Sequence, residues 1–322
     1  MMYMYMLMLM LSTLIVISSN NWMSMWIGLE MNLMFFIPLL YEYNNKKSSQ
    51  SMMIYFLIQS ISSLIFLFSI MMSPMIKINF MMNNEISNLL INMSILMKLG
   101  SPPFHNWLPE MMNNLNWNKM LLLMTWQKLA PMFVLSNMKL TWLIYMSITL
   151  CVIIGAIGGI NTTSLRKIMA YSSINHMGWM MAMMSNQSTW YSYWIIYSIM
   201  VILMVLFFNS YNSYTINQLN NKLPTMMEKY IYSSLMLSMG GLPPFMGFLT
   251  KWMVIQSMIN YKLMLMIMLM MSMITLFYYM RMISSFMLMY SLNNKWFVMY
   301  NNNMGYFFIN LMLPMMLIFN FF

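Results

Sequence analysis

The stretch MSILMKLGSPPFHNWLPEMM (93–112) reads as an apolar helix broken near its middle. Lys98 stands just before the break, Gly100-Ser101-Pro102-Pro103 ends the helix, and a second apolar run follows. Proline lacks the backbone donor that a helix needs, and glycine readily leaves the helical region, so this tetrapeptide stops a helix. In a soluble protein it would be an ordinary turn between two helices. The rest of the chain excludes that reading. Of its 322 residues, 61% are hydrophobic and 6% charged, whereas a soluble domain carries about a quarter charged residues. There is no aspartate, and there are five acidic residues in all. Such a surface is solvated by lipid.

Outward from the break, a match appears. LGSPPFHNWLPE (99–110) and GGLPPFMGFLTK (240–251) share the pattern G-x-P-P-F-x-x-x-L, 141 residues apart. A membrane helix needs about 20 mostly apolar residues. Eleven segments qualify, near 2–19, 22–41, 51–73, 86–112 (broken), 118–137, 141–162, 167–185, 188–209, 229–259 (broken), 263–288 and 303–321. Five spans separate the two breaks, so the copies cross the membrane in opposite directions. Paired Gly/Pro-interrupted segments in inverted halves point to a transport site at mid-depth. The expected architecture is therefore an all-α polytopic membrane protein of about eleven transmembrane helices, forming a single transmembrane domain. Residues 1–138 form a first five-helix repeat, 139–290 a second inverted one, and 291–322 a C-terminal helix.

The formal charge of +10 does not indicate nucleic acid, because the basic residues are scattered and form no stripe. They instead orient the chain. Alternating connections place Lys46, Lys47, Lys119, Arg166, Lys167, Lys222, Lys229, Arg281 and Lys295 on one side and Lys77, Lys139 and Lys262 on the other. By the positive-inside rule the N-terminus lies with the larger group. The start, MMYMYMLMLMLSTLIVISS (1–19), carries no basic leader and reads as the first span. Cys151 is the single cysteine, which leaves no disulfide or cysteine-rich metal or iron–sulfur site within the chain. GAIGGI (155–160) has the wrong spacing for a dinucleotide loop and lies in an apolar segment. The 56 methionines, with abundant Asn, Ile, Phe, Tyr and Lys, follow A/T-rich codons and a code with an extra Met codon, as in animal mitochondria. Structurally these methionines are apolar fillers.

Charges inside the spans are the candidate functional groups. A lysine at the bilayer centre costs roughly 2.5–3.5 kcal/mol on insertion scales. Lys128 is mid-span in MLLLMTWQKLAPMFVL (120–135), and Lys98 and Lys251 flank the helix breaks. Snorkelling from a span end accounts for Lys119 and Lys139 instead. Glu30 is the one carboxylate placed mid-span, and Lys98 is its expected partner. A pair that opens and closes would switch the lysine's hold on its proton. Pro131, three residues after Lys128, predicts a local bulge there. His176 is mid-span beside Ser172, Ser173 and Asn175; it is either a proton relay or a hydrogen-bonded core histidine. His105 follows the first break.

Together, WIGLEMNL (26–33), KLGSPPFHNWLPEMM (98–112), TWQKLAPM (125–132), GGINTTSLRKIMAYSSINHMGW (158–179) and GGLPPFMGFLTKW (240–252) resemble the chain 2 family of animal mitochondrial NADH:ubiquinone oxidoreductase. The resemblance runs over roughly residues 20–285. It implies an antiporter-like, proton-translocating subunit of the membrane arm of respiratory complex I, in the mitochondrial inner membrane. It implies further that Glu30 and Lys98 form the coupling ion pair, Lys128 is the central lysine, His176 is a relay and Lys251 lies on the exit side. No cofactor is expected in this chain; NADH, flavin, iron–sulfur clusters and ubiquinone would be bound by other subunits. The expected partners are neighbouring antiporter-like and small membrane-arm subunits, with membrane lipids. Two rival readings stay open: a stand-alone cation/proton antiporter, and a structural or assembly subunit that pumps nothing.

Overall fold

A computed structural model describes residues 2–43, 45–78, 85–138, 141–185, 190–222 and 226–288. The expected C-terminal helix, with Lys139 and Lys295, lies outside the described residues. Among those residues the chain forms helices joined by short connections, with one isolated antiparallel bridge between Ser164 and Thr215. Clustering divides it into two units, 1–150 and 151–322.

The first unit contains α1 (Met2–Ser18), α2 (Trp22–Leu40), α3 (Lys46–Ile78), α4 (Glu85–Leu99), α5 (Trp107–Asn114), α6 (Trp117–Met124) and α7 (Trp126–Ser136). α8 (Trp142–Ile160) leads into the second unit, which holds α9 (Leu165–Ser185), α10 (Trp190–Ser210), α11 (Ile216–Lys222), α12 (Met226–Gly240), α13 (Met246–Ser257) and α14 (Lys262–Leu288). Each of the first ten expected spans has a counterpart here. α2, α3, α8, α10 and α14 are individually long and apolar enough to cross a membrane. The chain is a multi-pass membrane protein. The short α11, in a stretch read as connection, is an addition.

Sequence explains the sidedness of these helices. On α14, Leu263, Met266, Met270, Met273, Phe277 and Met280 are exposed at three- and four-residue steps, an apolar stripe facing outward. A helix in water turns such a stripe inward. Polar hydroxyls are dealt with locally. Ser62, Ser69, Ser94 and Ser173 each donate to the carbonyl three residues back, at 2.6–2.7 Å. A hydroxyl satisfied within its own helix is tolerated in lipid.

Both helix breaks are built alike. α4 ends with Gly100 at φ +68° and α12 with Gly241 at φ +77°. The Gly100 N–H reaches the Met97 carbonyl and the Ser101 N–H the Leu96 carbonyl. The Gly241 N–H reaches Ser238 and the Leu242 N–H reaches Leu237. This is the Schellman closure, which needs a residue in left-handed backbone. In each copy a cis Pro–Pro bond follows, and the phenylalanine N–H then bonds three residues back, Phe104 to Ser101 and Phe245 to Leu242. The match in sequence is thus a match in backbone hydrogen bonding. α13 packs closely against the end of α12, and a Cβ on Gly247 would fall 1.7 Å from the Ser238 carbonyl oxygen.

The expected bulge at Lys128 is corrected in position. The helix is interrupted at Thr125, between α6 and α7, three residues before Lys128. Pro131 leaves the carbonyl four residues back, that of Gln127, without its helical donor; the interruption lies two residues further toward the N-terminus. Thr125 patches the break with its own hydroxyl, which donates to the Leu121 carbonyl at 2.8 Å.

Lys119 is also corrected. It does not snorkel freely but is buried, 2.8 Å from Glu42. Its ammonium also donates to the Leu40 and Tyr41 carbonyls at 2.8 and 3.2 Å, capping α2. A lysine favours the negative end of a helix for this reason. Asn45 and Asn116 hold the two Glu42 oxygens, so the clasp ties the α2–α3 connection to the start of α6. Burial alone would raise the Glu42 carboxyl. The hydrogen bonds from Lys119 and Asn45 and the Lys119 charge outweigh it, leaving the group below its ordinary value of 4.5.

Two outcomes follow. Gly247→Ala should force α13 off α12 at a cost of about 1–3 kcal/mol, seen as a lower thermal midpoint of the folded chain; an unchanged midpoint would show that the contact is not tight. The Glu42 clasp should stabilise the chain above pH 4.5 and lose that contribution as pH falls through the lowered carboxyl value. Glu42→Gln should remove this part of the acid sensitivity in thermal unfolding, and an unaltered acid profile would show that the clasp contributes nothing.

Candidate proton-transfer site

Two polar clusters that contain sequence-marked residues lie in the interior, one in each unit. In the first, Lys98 on the last turn of α4 and Lys128 on α7 line one small cavity with Asn32, Tyr55, Gln59, Trp107 and Gln127. It offers about 20 Å³ of free space, enough for an ordered water. Lys98 is 6% and Lys128 3% exposed. The break in α4 makes this arrangement possible. Lys98 stands in the last turn, where carbonyls lack helical partners and the helix dipole favours a cation. Gln59 on α3 donates to the Lys98 carbonyl at 3.1 Å, satisfying one such group. The Tyr55 hydroxyl donates to Gln127 at 3.2 Å, one residue before Lys128. Three buried polar atoms of the lining residues have no protein partner: Asn32 Oδ1, Trp107 Nε1 and Gln127 Nε2. Groups left unsatisfied in this way mark a place that water or a moving proton carrier can serve.

Glu30 and Lys98 do not form a contact ion pair in this structure. Glu30, half-buried on α2, accepts a hydrogen bond from Ser63 on α3 at 2.8 Å. It remains near enough to Lys98 for its charge to act on the ammonium. The sequence named both partners, and the structure adds Ser63, whose hydroxyl lies between the carboxylate at 2.8 Å and the Ser60 carbonyl at 2.9 Å.

The second cluster centres on α9, α10 and α13, which pack on one another. His176 on α9 is 1% exposed, and its Nδ1 lies 2.7 Å from the Tyr193 hydroxyl on α10. Tyr197 packs on its ring, with centroids 5.0 Å apart. Trp179 stands three residues after His176, on the same face of α9. Lys251 on α13 places its ammonium 5.8 Å from the Trp179 ring centroid, within cation–π range. The same ammonium donates to the Gly240 carbonyl at 2.5 Å, the last residue of α12. The lysine therefore neutralises the open end of its own broken helix. Gly241 leaves room for it, since a Cβ there would fall 2.8 Å from the lysine side chain.

The structure thus joins Lys98 with Lys128, and His176 with the Lys251 helix. Sequence reasoning missed Tyr55, Gln59, Gln127 and Tyr193. A glutamine or tyrosine inside an apolar span was the available signal. It also missed the use of GAIGGI (155–160), whose glycines serve helix packing: Gly155 lies against Asn175, Gly158 against Tyr171 and Gly159 against Tyr278. Among the described residues no group of three or more His, Cys, Asp or Glu is placed to hold a metal ion.

Comparison with known proteins adds a family. Residues 19–277 match the family described as NADH:quinone oxidoreductase/Mrp antiporter, TM. The NADH-ubiquinone oxidoreductase chain 2 of Aedes aegypti is 46% identical over 303 residues, covering 90% of this chain and 88% of its own. That of Anopheles gambiae is 42% identical over 319 residues, covering 96% and 91%. A chain of respiratory complex I from Thermus thermophilus, solved with bound aureothin, superposes with a TM-score of 0.84 at 16% identity, covering 98% of this chain and 78% of that one. At that identity the likeness is one of fold. The match over most of the chain and the curated relatives agree: the chain belongs to the NADH-ubiquinone oxidoreductase chain 2 family, within the NADH:quinone oxidoreductase/Mrp antiporter family of membrane proteins.

Proposed function

We propose that this chain translocates protons as a membrane-arm subunit of NADH:ubiquinone oxidoreductase, in the mitochondrial inner membrane. The observation that carries the reading is the cavity that Lys98 and Lys128 share. Two buried ammoniums on one hydratable cavity can exchange a proton only if their charges alternate, because two like charges there repel. Glu30 sets the bias. When its carboxylate leaves Ser63 for Lys98, the charged lysine is favoured; when it returns, the proton is favoured on Lys128. Quinone reduction in a partner subunit would drive that movement electrostatically. His176 and Lys251 then serve as the second exchange station and the release side. Residues 1–138 and 139–290 would act as two inverted halves, one station in each.

This subunit holds no redox group of its own in this scheme. NADH, flavin, iron–sulfur clusters and ubiquinone belong to other subunits, and neighbouring antiporter-like and small membrane-arm subunits are its partners. A second reading follows from the family's breadth, which includes Mrp antiporters: a cation/proton antiporter that works without a redox partner. A native gel of gently solubilised membranes, stained for NADH oxidation and analysed by peptide mass spectrometry, separates the two. The chain should appear in the large NADH-oxidising band. Its presence only in a small inactive band would replace the redox-driven reading by the antiporter.

Positioned proton-transfer groups contribute roughly 10²–10⁴-fold to the step they serve. Lys128→Ala should therefore stop translocation through this chain and lower the protons moved per electron in the intact complex. Unchanged stoichiometry would remove Lys128 from the path. Ser63→Ala should release Glu30 and alter coupled turnover while leaving the assembled complex present in normal amount. Normal coupling in that variant would show that Ser63 has no part in the switch.

A further inference from the structure

We infer that Trp107 seats a single water in the Lys98–Lys128 cavity and limits it to one ammonium, so that this water joins a charged lysine to a neutral one; the inference deepens the proton-exchange reading above and rests on it. The cavity offers about 20 Å³, room for one water. Its polar walls are of two kinds. Gln59 Nε2 is committed to the Lys98 carbonyl, and the Tyr55 hydroxyl to Gln127. Trp107, Asn32 and Gln127 each keep a buried polar atom without a protein partner. Three such atoms around a space of this size supply the two to four partners that a buried water needs.

Trp107 differs from the two amides. A side-chain amide can turn to offer its oxygen or its nitrogen, whereas an indole only donates. Its N–H therefore takes one of the water's two lone pairs whatever the amides do. One lone pair remains for a lysine. The water can accept from one ammonium, and two charged lysines cannot both bond to it. The transfer balances. The water takes a proton from the ammonium at its free lone pair as it gives one of its own to the neutral amine. It stays water, and the charge passes from one lysine to the other. The break in α4 places the indole for this role. Trp107 opens α5 directly after the break. Gly100, two residues past Lys98, lies against the ring edge next to Nε1: a Cβ there would fall 3.0 Å from Cζ2 and 3.2 Å from Cε2. Gly100 thus closes α4 and also gives the indole room. Trp107 lines the apolar recess beside Met97 and Phe104 as well. A phenylalanine would serve that wall equally, so the N–H is the part that the wall does not need. Trp107 is a positioning residue, acting on the lysines through the water.

Electron cryomicroscopy of the intact complex, at a resolution that shows waters, tests this first. One water should lie in the cavity within hydrogen-bond distance of Trp107 Nε1. A dry cavity, or a water out of reach of Nε1, would overturn the inference. Trp107→Phe keeps an aromatic wall and removes the donor. In the intact complex it should lower the protons moved per electron and raise the solvent hydrogen-isotope effect on coupled turnover, with the complex present in normal amount. An unchanged isotope effect would show that the indole only packs, and would overturn the inference too. Where this variant does not assemble, the wild-type map still decides. Lys128→Ala separates the two readings. Unchanged stoichiometry there removes proton exchange through this cavity, while the seating of the water stands or falls on the map.

Discussion

Every backbone polar group that faces lipid needs a partner inside the chain, because lipid supplies none. Each unpaired backbone group there costs several kcal/mol, so a helix can be broken only where the ends are closed. The two breaks meet that constraint by the same means, a left-handed glycine that returns two donors to the last carbonyls. The carbonyls that remain open are where the charges gather. Gln59 takes the Lys98 carbonyl, Lys251 takes the Gly240 carbonyl, and Lys119 takes those of Leu40 and Tyr41.

The same principle separates two kinds of buried cation. Lys119 has a full partner set, with a carboxylate and two carbonyls. Arg281 on α14 likewise closes α8 through the Ile160 and Thr162 carbonyls. Lys98 and Lys128 differ, because they line a cavity whose other polar atoms include three without protein partners. The polar groups around such a cavity lie within reach of one ordered water.

Buried uncharged groups then decide how the charged ones behave. Ser63 meets Glu30, and the Tyr193 hydroxyl meets His176 Nδ1. Trp107 walls the Lys98–Lys128 cavity and also lines an apolar recess with Ile58, Ile61, Met97, Pro103, Phe104 and Asn106. The polar side of the break is thus one indole ring away from the apolar side.

The sequence by itself determined the solvent, the helices and the two breaks. Apolar runs of membrane length have few alternatives in lipid, and Gly-x-Pro-Pro cannot continue a helix. It also marked Glu30, Lys98, Lys128, His176 and Lys251, because an ionisable group deep in a span is costly enough to stand out. It placed a distortion at Lys128, whereas the helix is interrupted at Thr125. It treated Lys119 as a lone snorkelling lysine because Glu42 is 77 residues away in sequence. Tertiary structure alone decided such pairings: Glu42 with Lys119, Ser63 with Glu30, Tyr55 with Gln127, and Tyr193 with His176. Hydrogen bonds are short-ranged and directional, so a partner on another helix is fixed by packing and register, which no local pattern of residues records.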